Sequence, residues 1–163
     1  MSQLDHKLWI GSYTDVSNRE FMDERGITHI LCCAKECEKP PYLFLSQYRT
    51  WHLIPIAENE MDSMTELYLK EGAKKINEWI RAGHTVILHC LTGNTRSVST
   101  AIAYYMIYKS MSFSVAYRFI KQHRNLANPD DTYIDILIHL DSVRHVETTE
   151  QPPNNDSLNS HQV

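Results

Sequence analysis

Short apolar runs alternate with longer stretches of helical spacing along this 163-residue chain. Leu8-Trp9-Ile10-Gly11 reads as a short strand. Ser17 can cap a helix running to Arg25, with Gly26 as its stop. Ile27 to Ala34 is apolar and rich in strand formers, which predicts a buried strand. Lys35 to Pro41 is a charged, proline-containing loop, and Thr50 to Ile56 reads as another strand, broken near Pro55. Ala57 to Ser63 is acidic and irregular. From Met64 to Arg81 the apolar positions, Leu67, Leu69, Ile76 and Ile80 among them, fall at helical intervals, and Gly83 ends that helix. Thr85 to Leu88 is a further apolar strand. Three helices are then expected, over Ser97–Lys109, Ser114–His123 and Thr132–His145. Strands alternating with helices imply an α/β fold. No internal repeat is visible.

The pattern stops after Val146. Residues 147–163 are polar, carry Pro152-Pro153 and have almost nothing to bury, so they read as a disordered tail behind a single folded domain over 1–146. The first expected strand starts close to Met1, so no accessory targeting domain is expected. No apolar run reaches membrane-span length, the first residues lack a signal-peptide core, and neither lipidation box is present. A net charge of −4 argues against nucleic acid or an anionic membrane as the main partner.

Of four cysteines, Cys32, Cys33 and Cys37 cluster at the end of the second expected strand. Metal binding by that cluster has no second Cys/His pair to complete it, so buried strand thiols are the expectation, and free thiols fit a reducing compartment. His29, His52 and His139 stand in apolar stretches without paired ligands and are expected to be structural. Tyr104, Tyr105 and Tyr108 are expected in the core, and Lys74-Lys75 on a solvated helix face.

The chemistry concentrates in His89-Cys90-Leu91-Thr92-Gly93-Asn94-Thr95-Arg96-Ser97. A buried strand delivers Cys90 into a loop that ends where a helix begins. Such a loop can turn the backbone N–H groups of Leu91, Thr92, Gly93, Asn94, Thr95 and Arg96 inward, as a nest for a tetrahedral dianion. Gly93 allows a positive φ or a close approach of the ligand. Arg96 offers a planar fork for two oxygens. The same surroundings lower the pKa of Cys90 toward the nucleophilic thiolate, Ser97 can donate to its sulfur, and His89 can brace the loop.

With these residues in view, the chain resembles the small, atypical dual-specificity phosphatases of the cysteine-dependent protein tyrosine phosphatase superfamily, from about Leu8 to Val146. The matching features are Leu8-Trp9-Ile10-Gly11, Ile54-Pro55-Ile56 before an acidic loop, the His-Cys-x5-Arg-Ser stretch, and a helix ending near Arg124 followed by Asn128-Pro129. The resemblance implies a central mixed sheet flanked by helices, with the Cys-x5-Arg phosphate loop between strand and helix. It implies a phosphocysteine mechanism with Cys90, Arg96, Ser97 and a general acid. The family's acid is an Asp; the matching position holds Glu58, with Glu60 and Asp62 close enough to replace it. A second departure is Asp130, where relatives often carry Asn, and capping of the next helix is the plainer role for it.

The expected activity is therefore removal of phosphate from phosphotyrosine and phosphoserine/threonine in proteins, by a cytoplasmic monomer, with the nucleus left open, and without metal or other cofactor. The uncharged Leu91, Thr92, Asn94 and Thr95 argue against polyanionic lipid substrates. The alternatives are a catalytically weak phosphoprotein-binding pseudophosphatase and a phosphatase for a non-protein phosphate ester.

Overall fold

The computed structural model describes residues 1–37, 50–58 and 63–149, the last of these from 145 onward as backbone only. Its elements are β1 (Ser2–Asp5), β2 (Leu8–Gly11), α1 (Tyr13–Val16), α2 (Arg19–Glu24), β3 (His29–Cys32), β4 (Thr50–Leu53), α3 (Thr65–Arg81), β5 (Val86–His89), α4 (Arg96–Lys109), α5 (Phe113–His123) and α6 (Asp131–Thr149). The expected α/β architecture with a mixed sheet is present: the strand order is β1-β2-β5-β3-β4, with β1 antiparallel to β2 and the other pairs parallel.

Alternation along the strands divides the sheet's two faces. Leu8, Ile10, Leu31, Val86 and Leu88 face the main core, together with buried residues of α3, α4, α5 and α6. Ile30 and Ile87 face a smaller core, where Val16 and Met22 cover them and Trp9 and Trp51 pack at its edge. Because β5 is central and covered on both faces, all four of its residues are buried, which explains its uninterrupted apolar run. The α4 helix is equally enclosed: every residue from Arg96 to Met106 is buried. Gly72 lets α3 approach it, since a Cβ there would meet Thr100 Cγ2 at 2.5 Å.

Several expectations shift. Residues 13–24 form two short helices rather than one. Ser12 caps the first with a reciprocal Asp15 capping box; Ser17 ends it, and Asn18, not Ser17, caps the second. Strand β1 escaped the sequence reading because four residues at a sheet edge show little periodicity. Leu67 and Tyr108 lie on exposed faces, at 44% and 37%. Tyr104 and Tyr105 are buried as expected, the latter donating to Asp5 at 3.0 Å. His29 is buried and stacked on His84, whereas His139 is exposed. The α6 helix continues to Thr149, beyond the expected boundary at 146; residues 150–163 lie outside the described residues. Among the described residues, no helix is long and apolar enough to cross a membrane.

Candidate active site

The parallel strands β2, β5, β3 and β4 end on the same side of the sheet, and the residues just beyond them converge there. This is where ligands bind in open α/β sheets. Cys90 follows β5 and Arg96 opens α4, so the intervening loop joins the central strand to the central helix.

The conformation of that loop follows from where its carbonyls go. Cys90 O accepts from His89 Nδ1 at 3.1 Å. Leu91 O accepts from the Tyr13 N–H at 3.0 Å, and Asn94 O from the Asn128 N–H at 2.9 Å. Arg124 donates Nε to Gly93 O at 2.6 Å and Nη2 to Thr92 O at 3.3 Å. Thr95 O accepts from Ser99, and Arg96 O from Thr100 Oγ1. Each carbonyl from Cys90 to Arg96 is thus held from outside. A trans peptide directs its N–H opposite to its C=O, so the amides turn inward, the arrangement of an anion nest. Gly93 meets both demands placed on it: φ is +74°, and a Cβ would stand 2.4 Å from Gly11 O.

Cys90 is almost wholly enclosed, and burial alone would push its thiol pKa up. The hydrogen bonds from the Ser97 side chain and backbone and from the Gly93 N–H, with the Arg96 charge, outweigh burial and hold it below the usual thiol value. Ser97 Oγ lies 3.3 Å from Sγ, and the Gly93 N–H donates to it at 3.2 Å. Burial pulls the pKa of His89 down to about 4, against the opposing pull of its bond to Cys90 O, so the ring is neutral with its proton on Nδ1.

Cys32, Cys33 and Cys37 are buried free thiols, as expected. Leu91 and Thr92 are exposed at the mouth of the loop, and Asn94 and Thr95 are half-buried. Glu58 is exposed in the segment after β4, close enough to Arg96 to favour its charge. That segment is tethered at Ile56 O, which accepts from Arg96 Nη1 at 3.2 Å, and at Ala57 O, which accepts from the buried Tyr133 hydroxyl at 3.3 Å. Glu60 and Asp62 lie outside the described residues. Asp130 is exposed and its carbonyl accepts the Ile134 N–H at the start of α6.

Two residues of this site were not singled out from the sequence. In the sequence Arg124 marks only a helix end, yet it ties together Thr92, Gly93 and the Asn94 side chain. Glu36 lies in a charged loop without a motif of its own, yet its carboxylate takes both terminal nitrogens of Arg96, at 2.5 and 2.7 Å. The available signal for Glu36 was its place just past a buried parallel strand beside the one that delivers Cys90.

The family model described as "Dual specificity phosphatase, catalytic domain" matches residues 8–142. Dual specificity protein phosphatase 1B of Arabidopsis thaliana is 30% identical over 137 residues, covering 84% of this chain and 79% of the relative. Dual specificity protein phosphatase 8 of Mus musculus is 33% identical over 131 residues, covering 80% of this chain and 19% of the relative, so the chain spans about a fifth of that protein's length. The crystal structure of human DUSP28 superposes with a TM-score of 0.78 at 17% identity, covering 88% of this chain and 94% of that one. The human tyrosine phosphatase-like serine/threonine/tyrosine-interacting protein gives a TM-score of 0.77 at 22% identity, covering 89% and 97%.

Proposed function

The chain belongs to the dual specificity phosphatase catalytic-domain family, and from that premise we propose that it hydrolyses phosphotyrosine and phosphoserine/threonine in proteins through a phosphocysteine intermediate at Cys90. The observation that supports this reading is Cys90, with Ser97 Oγ and the Gly93 N–H at its sulfur, at the base of a loop whose carbonyls are all held outward. A phosphate dianion docks on the inward amides of residues 91–96 and on the Arg96 side chain. The Cys90 thiolate attacks phosphorus in line, an S–P bond forms, and the ester P–O bond breaks. Glu58 gives its proton to the leaving oxygen. Water then attacks the phosphocysteine and passes a proton back to the Glu58 carboxylate. The S–P bond breaks, and Ser97 donates to the departing thiolate. Charge spreads over oxygens that already face fixed donors, so positioning and electrostatics supply most of the acceleration. Free, buried thiols support a reducing compartment such as the cytoplasm.

Turnover of para-nitrophenyl phosphate, abolished in Cys90→Ser, tests this reading. Vanadate binding without any turnover in the unaltered chain would favour the pseudophosphatase alternative. The role of Glu58 shows in a gradient: Glu58→Gln should impair phosphoserine peptides most, phosphotyrosine peptides less and activated aryl phosphates least, because the more basic leaving oxygen needs the proton more. Uniform impairment would point to another acid.

A further inference from the structure

We propose that Tyr133 is the positioning residue for Glu58, its hydroxyl holding the backbone from which the acid side chain departs, an inference that rests on Glu58 being the general acid. Proton delivery demands that the acid keep one distance and one direction from the sulfur while the phosphoryl group moves between them. Glu58 and Cys90 reach the site from strands that are not neighbours, for β3 lies between β4 and β5. The ladder with β3 ends at Leu53, with one further bond from the Ile54 N–H to Cys32 O at 2.8 Å. Beyond it the chain needs other anchors. Ile56 O accepts from the Lys35 N–H at 3.1 Å and from Arg96 Nη1 at 3.2 Å. Ala57 O accepts from the Tyr133 hydroxyl at 3.3 Å. Among the described residues, that is the last hydrogen bond before Glu58. It falls on the peptide unit that joins Ala57 to Glu58, so it fixes the plane from which the Glu58 Cα projects.

Tyr133 is 3% exposed, with its ring in the main core at the first turn of α6. A buried phenol needs an acceptor for its proton, and the Ala57 carbonyl supplies one. The approach to α6 is itself tied to the phosphate loop: the Asn128 N–H donates to Asn94 O at 2.9 Å, and Thr95 Oγ1 donates to Asn128 O at 3.1 Å. The hydroxyl therefore refers the backbone of the acid to the loop that carries the sulfur, by a second route besides Arg96. Among the described residues, no hydrogen bond holds the exposed Glu58 side chain, so its backbone is the part that the fold fixes. Burial pushes the Tyr133 pKa up to about 12, with Arg96 pulling the other way and Asp130, Cys90 and Glu36 adding to the rise, so the hydroxyl stays a donor throughout the neutral range. The distance is long for an O–H···O bond, and the effect expected of it is accordingly moderate.

Tyr133→Phe keeps the ring and removes only the donor. Kinetics of the full chain with phenyl phosphate and para-nitrophenyl phosphate, with and without Glu58→Gln, test the proposal. Phenol holds its proton far more tightly than para-nitrophenol, so the first ester depends on the acid and the second depends on it little. In Tyr133→Phe, kcat/KM for phenyl phosphate should fall about tenfold and that for para-nitrophenyl phosphate much less. The vanadate inhibition constant should hold, because the phosphate loop keeps its own bonds. In a chain that already carries Glu58→Gln, adding Tyr133→Phe should lower neither rate constant further. The proposal is overturned if Tyr133→Phe slows both esters equally or weakens vanadate binding, for the hydroxyl then acts on the phosphate loop. It is equally overturned if the losses from the two substitutions add, or if kcat/KM for phenyl phosphate is unchanged even with a lower melting temperature, for the bond is then structural only. If Glu58→Gln alone spares phenyl phosphate, the acid is another residue, and if the unaltered chain hydrolyses neither ester, the phosphatase reading falls. Either result takes the inference with it, and each is read from a chain in which Tyr133 is intact.

Discussion

Cys33 and Cys90 each follow one of two adjacent parallel strands, joined by the Cys33 N–H donating to His89 O at 2.7 Å, and both are shut from solvent. Burial drives the Cys33 thiol well above its ordinary pKa, with a Thr100 hydrogen bond too weak to offset it. Cys32 is pushed up to about 12 by the same cause. Cys90 suffers comparable enclosure, yet it moves the other way, because Ser97 and the Gly93 amide donate to its sulfur and Arg96 lies near. Burial alone therefore does not decide the state of a thiol in this core. Cys90 gains several donors from a loop whose amides face inward; the hydrogen bonds that reach Cys32, Cys33 and Cys37 are too few to offset burial.

The largest effect should appear in alkylation. With thiolate as the reacting form, iodoacetate near pH 6 should modify Cys90 well before Cys32, whose thiol burial holds protonated, and vanadate should protect Cys90. Mass-spectrometric mapping that found all four cysteines labelled alike would erase the contrast. Next, Arg96→Lys keeps the charge but cannot span two oxygens, so kcat/KM should fall about a hundredfold or more while Cys90 still labels first. A near-normal rate constant would remove Arg96 from the mechanism.

On the acid side, His89 separates stability from reactivity. Its folded pKa of about 4 lies below the ordinary 6.5, so the unfolded chain takes up a proton that the folded chain resists. The neutral-ring stability is fully present above pH 6.5 and is lost as pH falls toward 4, by up to about 3 kcal/mol. Urea unfolding of the wild type and of His89→Asn across that window measures it, and parallel curves would refute the assignment.

Arg124→Met should then loosen the loop from outside. It frees the carbonyls of Thr92 and Gly93, and about 2 kcal/mol of stability and about tenfold in kcat/KM should go together. Loss of stability with unchanged kinetics would mean that the loop keeps its shape without this brace. The smallest effect is expected for Ser97→Ala, which removes one donor from Sγ. The alkylation profile of Cys90 should move toward higher pH, and phosphoenzyme should accumulate as the second step slows by a few fold. A profile that stayed in place would transfer the lowered pKa to the amides and Arg96.

What was legible in the sequence was whatever one continuous segment encodes. The apolar run of β5, the helical spacing of α3 and α5, and the Cys-x5-Arg-Ser stretch each depend on neighbours within a turn or a strand, and local backbone geometry translates such patterns directly. Gly93 belongs to this class too, since a loop that turns so tightly against Gly11 needs a residue free to take a positive φ. The division of residues 13–24 into two helices was harder to see, because it turns on which of the adjacent Ser17 and Asn18 lends its side chain to an N–H.

The two side chains that hold the loop and its arginine were decided by the tertiary structure alone. Arg124 reaches Gly93 from 31 residues away, and Glu36 reaches Arg96 across 60. Neither contact leaves a periodic or compositional trace, because a hydrogen bond between distant segments requires only that the fold bring a donor and an acceptor within about 3 Å. Here the parallel sheet does so, by ending β3 and β5 side by side, while the end of α5 brings Arg124 to the loop carbonyls. Sequence determined which residues could carry the chemistry; the crossing of distant segments determined which side chains hold Arg96 and the loop carbonyls in place.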